Sequence, residues 1–507
     1  MLLRMHDKLI QGGTTALVFG TGRLAVTIAG LCMWCGCRTE PTMPGPVSIV
    51  PGEQETVFAY DTNGDRRPDY WEYLRAGGQT YAVAYEADKT GRPGERIRLD
   101  AIGASEVPHF IIVLDGVPFE LVDEMYREGY FRAFHPPSRV ICPFPGMTDT
   151  ALSEVFHSDR CIANQALYFD RQSNRLSNGN SVYLSGGNAP WATKMTYRCS
   201  FWWDGLSYLD PQLVFDHEMN GIVETFRRVE SGEAGAYSIG SAALGIRYGR
   251  PAFLEFLRTI DRLCKQLICE RHGRVKITLL SDHGHCLVDC RPISFDRVLA
   301  AGGYHLAKSL HRPGDVVAIP YGLCTYAEFF TNDPAGVAAC LTAHEDVEFA
   351  CYAEKDDVVV RDREGEARIR KGEAGFIYDV QRGDPLKLRE TIERLRRDGK
   401  VTARGEINPD ALFAATLDAY YPDPLERIWS AFHRLVKIPP DVIVNLRDGS
   451  CFGSQFFYAM IGRVGSTHGS LGRRNSTTFA MTMLGELPPA MRSREVMPAV
   501  ERFRSDH

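Results

Sequence analysis

The sequence predicts an α/β fold: a mostly parallel sheet with helices on both faces, preceded by a small N-terminal β module and interrupted by an inserted β-rich subdomain. Three observations predict it. Short apolar runs, "HFIIVL" (109–114) and "KITLL" (276–280), read as strands buried on both sides, the pattern of a parallel sheet. Long stretches between and after them, "FELVDEMYREGYF" (119–131) and "PAFLEFLRTIDRLCKQLICERHG" (251–273), place apolar residues at helical spacing. Strands that alternate with helices make βαβ units, whose crossovers cover both sheet faces. With 507 residues, 44% of them hydrophobic and 24% charged, the chain can bury a large core. A net charge of -6 without a long basic run argues against a nucleic-acid-binding surface, and none is expected.

The elements follow in order. Arg4, Lys8 and Arg23 precede "LAVTIAGLCMWCGC" (24–37), an apolar stretch too short to span a bilayer stably but suited to a signal-peptide core. Residues 1–37 are therefore expected to direct export to the periplasm or cell envelope. "CGC" resembles a bacterial lipoprotein cleavage site, with Cys37 the acylated residue and the lipid its membrane anchor. The other reading is an uncleaved N-terminal anchor. Residues 38–54, rich in Pro and Gly, read as a linker. Eleven of the 14 cysteines lie beyond Cys37 and none forms a CxxC pair, which argues against a zinc ribbon. Export permits disulfides, and Cys264/Cys269 and Cys286/Cys290 are near neighbours in sequence.

Residues 55–103 read as the small β module. In "VFAYDTNGDRRPDYWEYL", Asp61, Asn63, Asp65, Asp69 and Glu72 fall at positions 1, 3, 5, 9 and 12 of a calcium loop, with the Arg67 carbonyl at position 7. Arg66 stands where an EF-hand needs Gly, and the flanks look like strands. The spacing thus suits either a Ca²⁺-pinned hairpin or a plain Asn-Gly turn. The main domain is expected over 104–490, with an insert at about 305–440. Within the insert, residues 345–380 alternate apolar and polar side chains as a β-meander, and "LKLRETIERLRRDGK" (386–400) returns to helix.

The chemistry-bearing residues gather at strand ends. Asp115 ends one apolar run, and Ser281-Asp282-His283-Gly284-His285 ends another, so both carboxylates are expected beyond the carboxyl edge of the sheet, where open α/β sheets bind ligands. Asp115 alone could simply cap a helix. "CPFPGMTDTALSEVF" (142–156) sets Thr148 after a Pro/Gly turn at the start of a helical pattern, where a hydroxyl can approach an anionic ester beside free backbone N–H groups. "GSTHGSLGRRNSTTF" (465–479) supplies His468.

In that order, "IIVLDG", "FPGMT", "LLSDHG" and "THGS" resemble the alkaline phosphatase superfamily, in its type I phosphodiesterase/nucleotide pyrophosphatase-like branch. The resemblance spans about residues 107 to 485. It implies an alkaline phosphatase-like fold and a metal-dependent hydrolase of phosphate esters or diesters, with Zn²⁺ as cofactor and a small phosphate ester as substrate. Carried over, Asp115, Thr148, Asp282 and His283 hold one zinc, Thr148 is the nucleophile, and His468 binds a second zinc. Other branches place the Thr directly before "FP", a position that is Pro143 here; Thr150 is the neighbouring hydroxyl. The second zinc of the family also takes Asp and His from a segment like "YIGSTDALGHRYG". Here that frame reads "YSIGSAALGIRYG", with Ala242 for the Asp and Ile246 for the His. Three functional readings follow: a hydrolase with one tightly held metal, supported by His285 or Asp289 at a second; a degenerate member that binds a phosphorylated or sulfated ligand; or a structural surface lipoprotein.

Overall fold

The computed structural model describes residues 43–177, 179 and 188–505. The expected export signal, Cys37 and the first part of the expected linker lie outside them. Among the described residues, no helix is long and apolar enough to cross a membrane.

The fold is α/β. Its central sheet has six strands, in the spatial order Glu233–Ser238, His109–Leu114, Lys276–Ser281, Thr477–Thr482, Ser138–Ile141 and Ala490–Arg492. The strand Thr477–Thr482 runs antiparallel to both neighbours and the other five share one direction, so the sheet is mostly parallel. The strand His109–Leu114 is buried on both faces, as its unbroken apolar run requires. Phe110, Ile112 and Leu114 enter one core with the helices Phe119–Glu128, Pro211–Arg227 and Arg250–Glu270. Ile111 and Val113 enter the opposite core with the helices Thr148–Val155 and Val496–Ser505. The last strand and helix belong to this domain, which therefore continues past residue 490 to Ser505.

Register decides what the sheet presents. Leu114 pairs with Ser281 on one side and with Ser238 on the other, so three parallel strands end level. The residues that follow, Ile239, Asp115 and Asp282, emerge side by side at the carboxyl edge.

The N-terminal region is a five-stranded antiparallel sheet, from Ser48–Val50 to Ile97–Arg98. Part of the expected linker belongs to it: Ser48–Val50 pairs with Val57–Ala59, and Met43 is buried in the main core. This sheet is not an independent module. Tyr60, Tyr70, Val83 and Leu99 share one core with the helix Arg250–Glu270, and the Tyr85 hydroxyl donates to the Ile268 carbonyl at 3.2 Å. Burying a large apolar side chain there contributes about 1.5–3 kcal/mol, which fastens the sheet to the domain.

The inserted region builds a second, eight-stranded sheet that runs from His305 to Leu446. Its meander covers Val347–Glu354, Asp357–Arg361, Glu366–Lys371 and Phe376–Arg382, each antiparallel to the next. The strand Val442–Leu446 returns to lie between Tyr326–Thr331 and Val347–Glu354, which moves the end of the insert beyond residue 440. The eleven cysteines of the described residues are free thiols. Cys286 and Cys290 lie nearest one another, with sulfurs 3.4 Å apart.

Candidate metal centre

The sheet edge gathers Asp115, Asp282, His283 and Thr148, as the sequence predicted. Asp115 caps no helix, since the following helix starts at Phe119 with Pro118 at its N-cap. Its Oδ2 accepts a hydrogen bond from the Tyr237 hydroxyl. The Oδ1 atom is buried and has no partner. In Asp282, Oδ1 accepts from the backbone N–H groups of Gly116 at 2.8 Å and His283 at 2.9 Å, while Oδ2 is buried and unpartnered. These two unpaired oxygens converge on one imidazole nitrogen. His283 Nε2 lies 3.6 Å from Asp115 Oδ1 and 3.2 Å from Asp282 Oδ2. Thr148 Oγ1 sits 3.3 Å from the same nitrogen.

Burial penalises this set heavily. It raises the Asp115 carboxyl well above the usual range, and the neighbouring Asp282 carboxylate adds to the shift. Burial also raises Asp282, against the backbone N–H of Gly116, which favours its charged form. Burial pushes His283 down to about 4, leaving the ring neutral. Two buried carboxylates with unpaired oxygens are costly unless a cation joins them. The donor set of two carboxylate oxygens, an imidazole nitrogen and a hydroxyl fits a divalent ion such as zinc. His283 Nδ1 donates to the Gly284 carbonyl at 3.1 Å, so its Nε2 carries the lone pair that a metal needs.

His468 stands beside them. Its ring stacks on His283 with centroids 3.8 Å apart and planes 10° from parallel. His468 Nδ1 donates to the Gly146 carbonyl at 2.8 Å, which leaves its Nε2 free. Burial and the adjacent His283 hold the ring neutral, with its pKa down to about 3.

A cavity of about 170 Å³ opens over this edge, lined by Asp115, Thr148, His468 and, on the helix Gly240–Tyr248, Ala242 and Ile246. The "YSIGSAALGIRYG" frame therefore faces the site, and Ala242 and Ile246 bring no ligating atom to it. Thr148 opens the helix Thr148–Val155. Thr150 does not share its position: it is buried and its hydroxyl donates to the Met147 carbonyl at 3.0 Å. Asp289 is apart from the site, exposed and paired with Arg463 at 2.7 Å, so it supports no second metal.

Sequence reasoning missed Tyr237 and Asp149. The Asp149 carboxylate lines the cavity and accepts from Trp191 Nε1 at 3.0 Å and Asn188 Nδ2 at 3.1 Å. Burial raises it to about 6. Asp149 follows Thr148 directly, which was its one local signal. Tyr237 opens the frame "YSIGSAALGIRYG", but nothing local to it showed that its hydroxyl reaches Asp115, 122 residues away.

The calcium-like positions divide. Asp61 Oδ1 and Oδ2 accept the N–H groups of Gly64 and Arg66, Asn63 Oδ1 that of Asp65, and Asp65 Oδ1 that of Arg67. Asp69 accepts from the Thr62 backbone and hydroxyl, both at 2.8 Å. The turn joins the strands Glu55–Tyr60 and Tyr70–Arg75, an antiparallel hairpin. Glu72 departs from the expectation. Its carboxylate is buried away from the turn and accepts from the hydroxyls of Tyr60 at 2.9 Å and Tyr70 at 3.3 Å. The alternation of the strand turns it inward.

No family model matches this chain, and no curated protein does. Solved structures do resemble it. Phosphonoacetate hydrolase from Sinorhizobium meliloti 1021, in complex with phosphonoformate, is 13% identical, with 83% of this chain and 99% of that one covered at a TM-score of 0.44. Human ectonucleotide pyrophosphatase/phosphodiesterase 5 is 12% identical, with 78% and 94% covered at a TM-score of 0.44. Its murine counterpart is 12% identical, with the same coverage at a TM-score of 0.40.

Proposed function

We propose that this chain is a member of the alkaline phosphatase superfamily, in its phosphodiesterase/nucleotide pyrophosphatase-like branch, and a metal-dependent hydrolase of phosphate esters or diesters. One observation carries the proposal. The unpaired oxygens of Asp115 and Asp282 meet His283 Nε2 and the Thr148 hydroxyl at the edge of a cavity. The order of the four motifs along the chain supports the same reading.

In this reading Asp115, Asp282, His283 and Thr148 hold one zinc ion and His468 takes part in holding a second. Bound metal lowers the pKa of a coordinated hydroxyl and neutralises phosphate oxygens. Thr148 attacks phosphorus through Oγ1, the ester bond to the leaving alcohol breaks, and water later cleaves the Thr148–phosphorus bond. The helix that Thr148 opens contributes N–H groups to the phosphate oxygens. Tyr237 holds Asp115 by one oxygen and so turns the other toward the centre. Export and acylation at Cys37 would place this activity at the cell envelope.

Ala242 and Ile246 favour a second reading, in which the chain binds a phosphorylated or sulfated ligand without turnover. Metal content and hydrolysis of an aryl phosphodiester by the purified protein separate the two. Turnover that disappears in Thr148→Ala, with metal content unchanged, is the expected result. Full activity in Thr148→Ala, with loss in Thr150→Ala, would refute the nucleophile assignment. Tight phosphate binding without turnover in the metal-loaded wild type would favour the second reading.

A further inference from the structure

We infer that His285 is a ligand of the second cation, beside His468, in place of the pair that Ala242 and Ile246 replace. This rests on the metallohydrolase reading and assigns a residue that the family pattern leaves without a role. His285 is fully buried, and its Nε2 has no partner. A ring nitrogen in that state loses water without gaining a replacement, a cost that a bound cation removes.

The position of the His285 ring depends on the glycine beside it. A Cβ on Gly116 would lie 2.6 Å from His285 Nε2 and 2.8 Å from its Cδ2, so no larger residue fits there. Gly116 also has a φ of +71°, which a side chain would strain.

Ring geometry and the carboxylate distances together divide the three imidazoles between two ions. The ligand nitrogens of His283, His285 and His468 lie within 4.8 Å of one another. His283 and His468 are nearly parallel, so their lone pairs lie in separate, nearly parallel planes and do not converge on one ion. Their spacing suits two ions about 3.5–4 Å apart, one for each ring. His285 is inclined to both, by 31° to His283 with centroids 5.9 Å apart and by 38° to His468 with centroids 5.2 Å apart. His283 Nε2 already lies 3.6 Å from Asp115 Oδ1 and 3.2 Å from Asp282 Oδ2, which leaves the nearer His468 as the partner of His285. Inclined rings can direct lone pairs to a common point. His283 then belongs with Asp115 and Asp282, and His285 with His468.

The hydrogen bonds allow the required tautomer. Ser466 Oγ accepts the Leu287 N–H at 2.9 Å and can accept His285 Nδ1–H at 3.1 Å, since the Cys286 sulfur, 3.7 Å away, offers an acceptor for its own proton. His285 Nε2 then carries the lone pair. Two imidazoles completed by water or substrate make a weaker site than one with two carboxylates, so the two ions differ in affinity.

The test is a calorimetric Zn²⁺ titration of the metal-stripped full chain. Wild type is expected to bind two equivalents, and His285→Gln only the tighter one, whose retention reports an intact fold. A wild type that binds two equivalents and a variant that binds two with unchanged affinities would overturn the inference. So would a wild type that binds a single equivalent, although the metallohydrolase reading would survive. A wild type that binds none would remove that reading and this inference together. If His285→Gln binds nothing, Ser466→Ala decides. Loss of this supporting hydrogen bond should weaken only the second ion, by about 10-fold or more, and unchanged binding would overturn the proposal.

Discussion

Asp282→Asn should reverse the sign of its effect on stability between metal-free and zinc-loaded protein. The amide keeps the shape of the carboxylate, and its orientation is dictated by the site. Oδ1 must still accept from Gly116 N at 2.8 Å and His283 N at 2.9 Å, so the new NH₂ takes the place of Oδ2. There it stands 3.2 Å from His283 Nε2 and within 4.8 Å of Asp115 Oδ1, an acceptor with no donor. The substitution relieves an unpaired buried group and the repulsion between two carboxylates. Unsatisfied buried polar groups cost about 1–3 kcal/mol, and the metal-free variant should gain stability of that order. In a chain of this size the gain is a rise of a few degrees in Tm. With zinc the balance inverts. A ligand that binds only the native state stabilises it by about 2.7 kcal/mol at one hundred times its Kd, and the variant forfeits this at the tighter site. The pH dependence has a definite sign. Burial raises both carboxyls, so the stability of the metal-free fold is fully present below the ordinary carboxylate pKa and falls as pH rises through the raised values. Asp282→Asn removes one of these groups, and its advantage over wild type should grow with pH. Thermal melts in chelator and in excess zinc, over a range of pH, measure all of this. A variant less stable than wild type in both solutions would refute the reasoning, because the two oxygens would then not be unpaired.

Three further outcomes are expected. Ala242→Asp combined with Ile246→His should raise zinc affinity at the second site and increase aryl phosphodiester turnover, since both positions line the cavity; a folded double variant unchanged in both would place the second ion elsewhere. Ca²⁺ should raise the Tm of the wild type if Asp61, Asn63, Asp65 and Asp69 hold the ion, and Glu72→Gln should leave that response intact because Glu72 faces Tyr60 and Tyr70; equal Tm values in calcium and chelator would leave a plain turn. Gly116→Val should cost more than about 2 kcal/mol in denaturant unfolding, from positive-φ strain and collision with His285; a neutral result would mean that the imidazole has room to move.

The sequence by itself determined those features that are written locally. Unbroken apolar runs specify strands buried on both faces, and the helical spacing between them specifies their cover. Asp115 and Asp282 were legible as candidate site residues because Asp115 directly follows one such run and Asp282 follows the other after Ser281. The frame around Ala242 and Ile246 was legible because it keeps its length and the glycines at 245 and 249. Tertiary structure decided whatever depends on register and on distant partners. The level ends of three strands bring Asp115 and Asp282 together, and that register is set by pairing over more than a hundred residues. The same holds for Tyr237 on Asp115, separated by 122 positions, and for Gly146 on His468, separated by 322. Glu72 fits a calcium spacing in sequence, yet strand alternation and the tyrosines Tyr60 and Tyr70 turn it into the core. Ser48–Val50 resembles a linker in composition, but an open sheet edge offered it backbone partners. Local patterns state which face of an element is apolar; which distant groups meet on that face follows only when the whole core is packed.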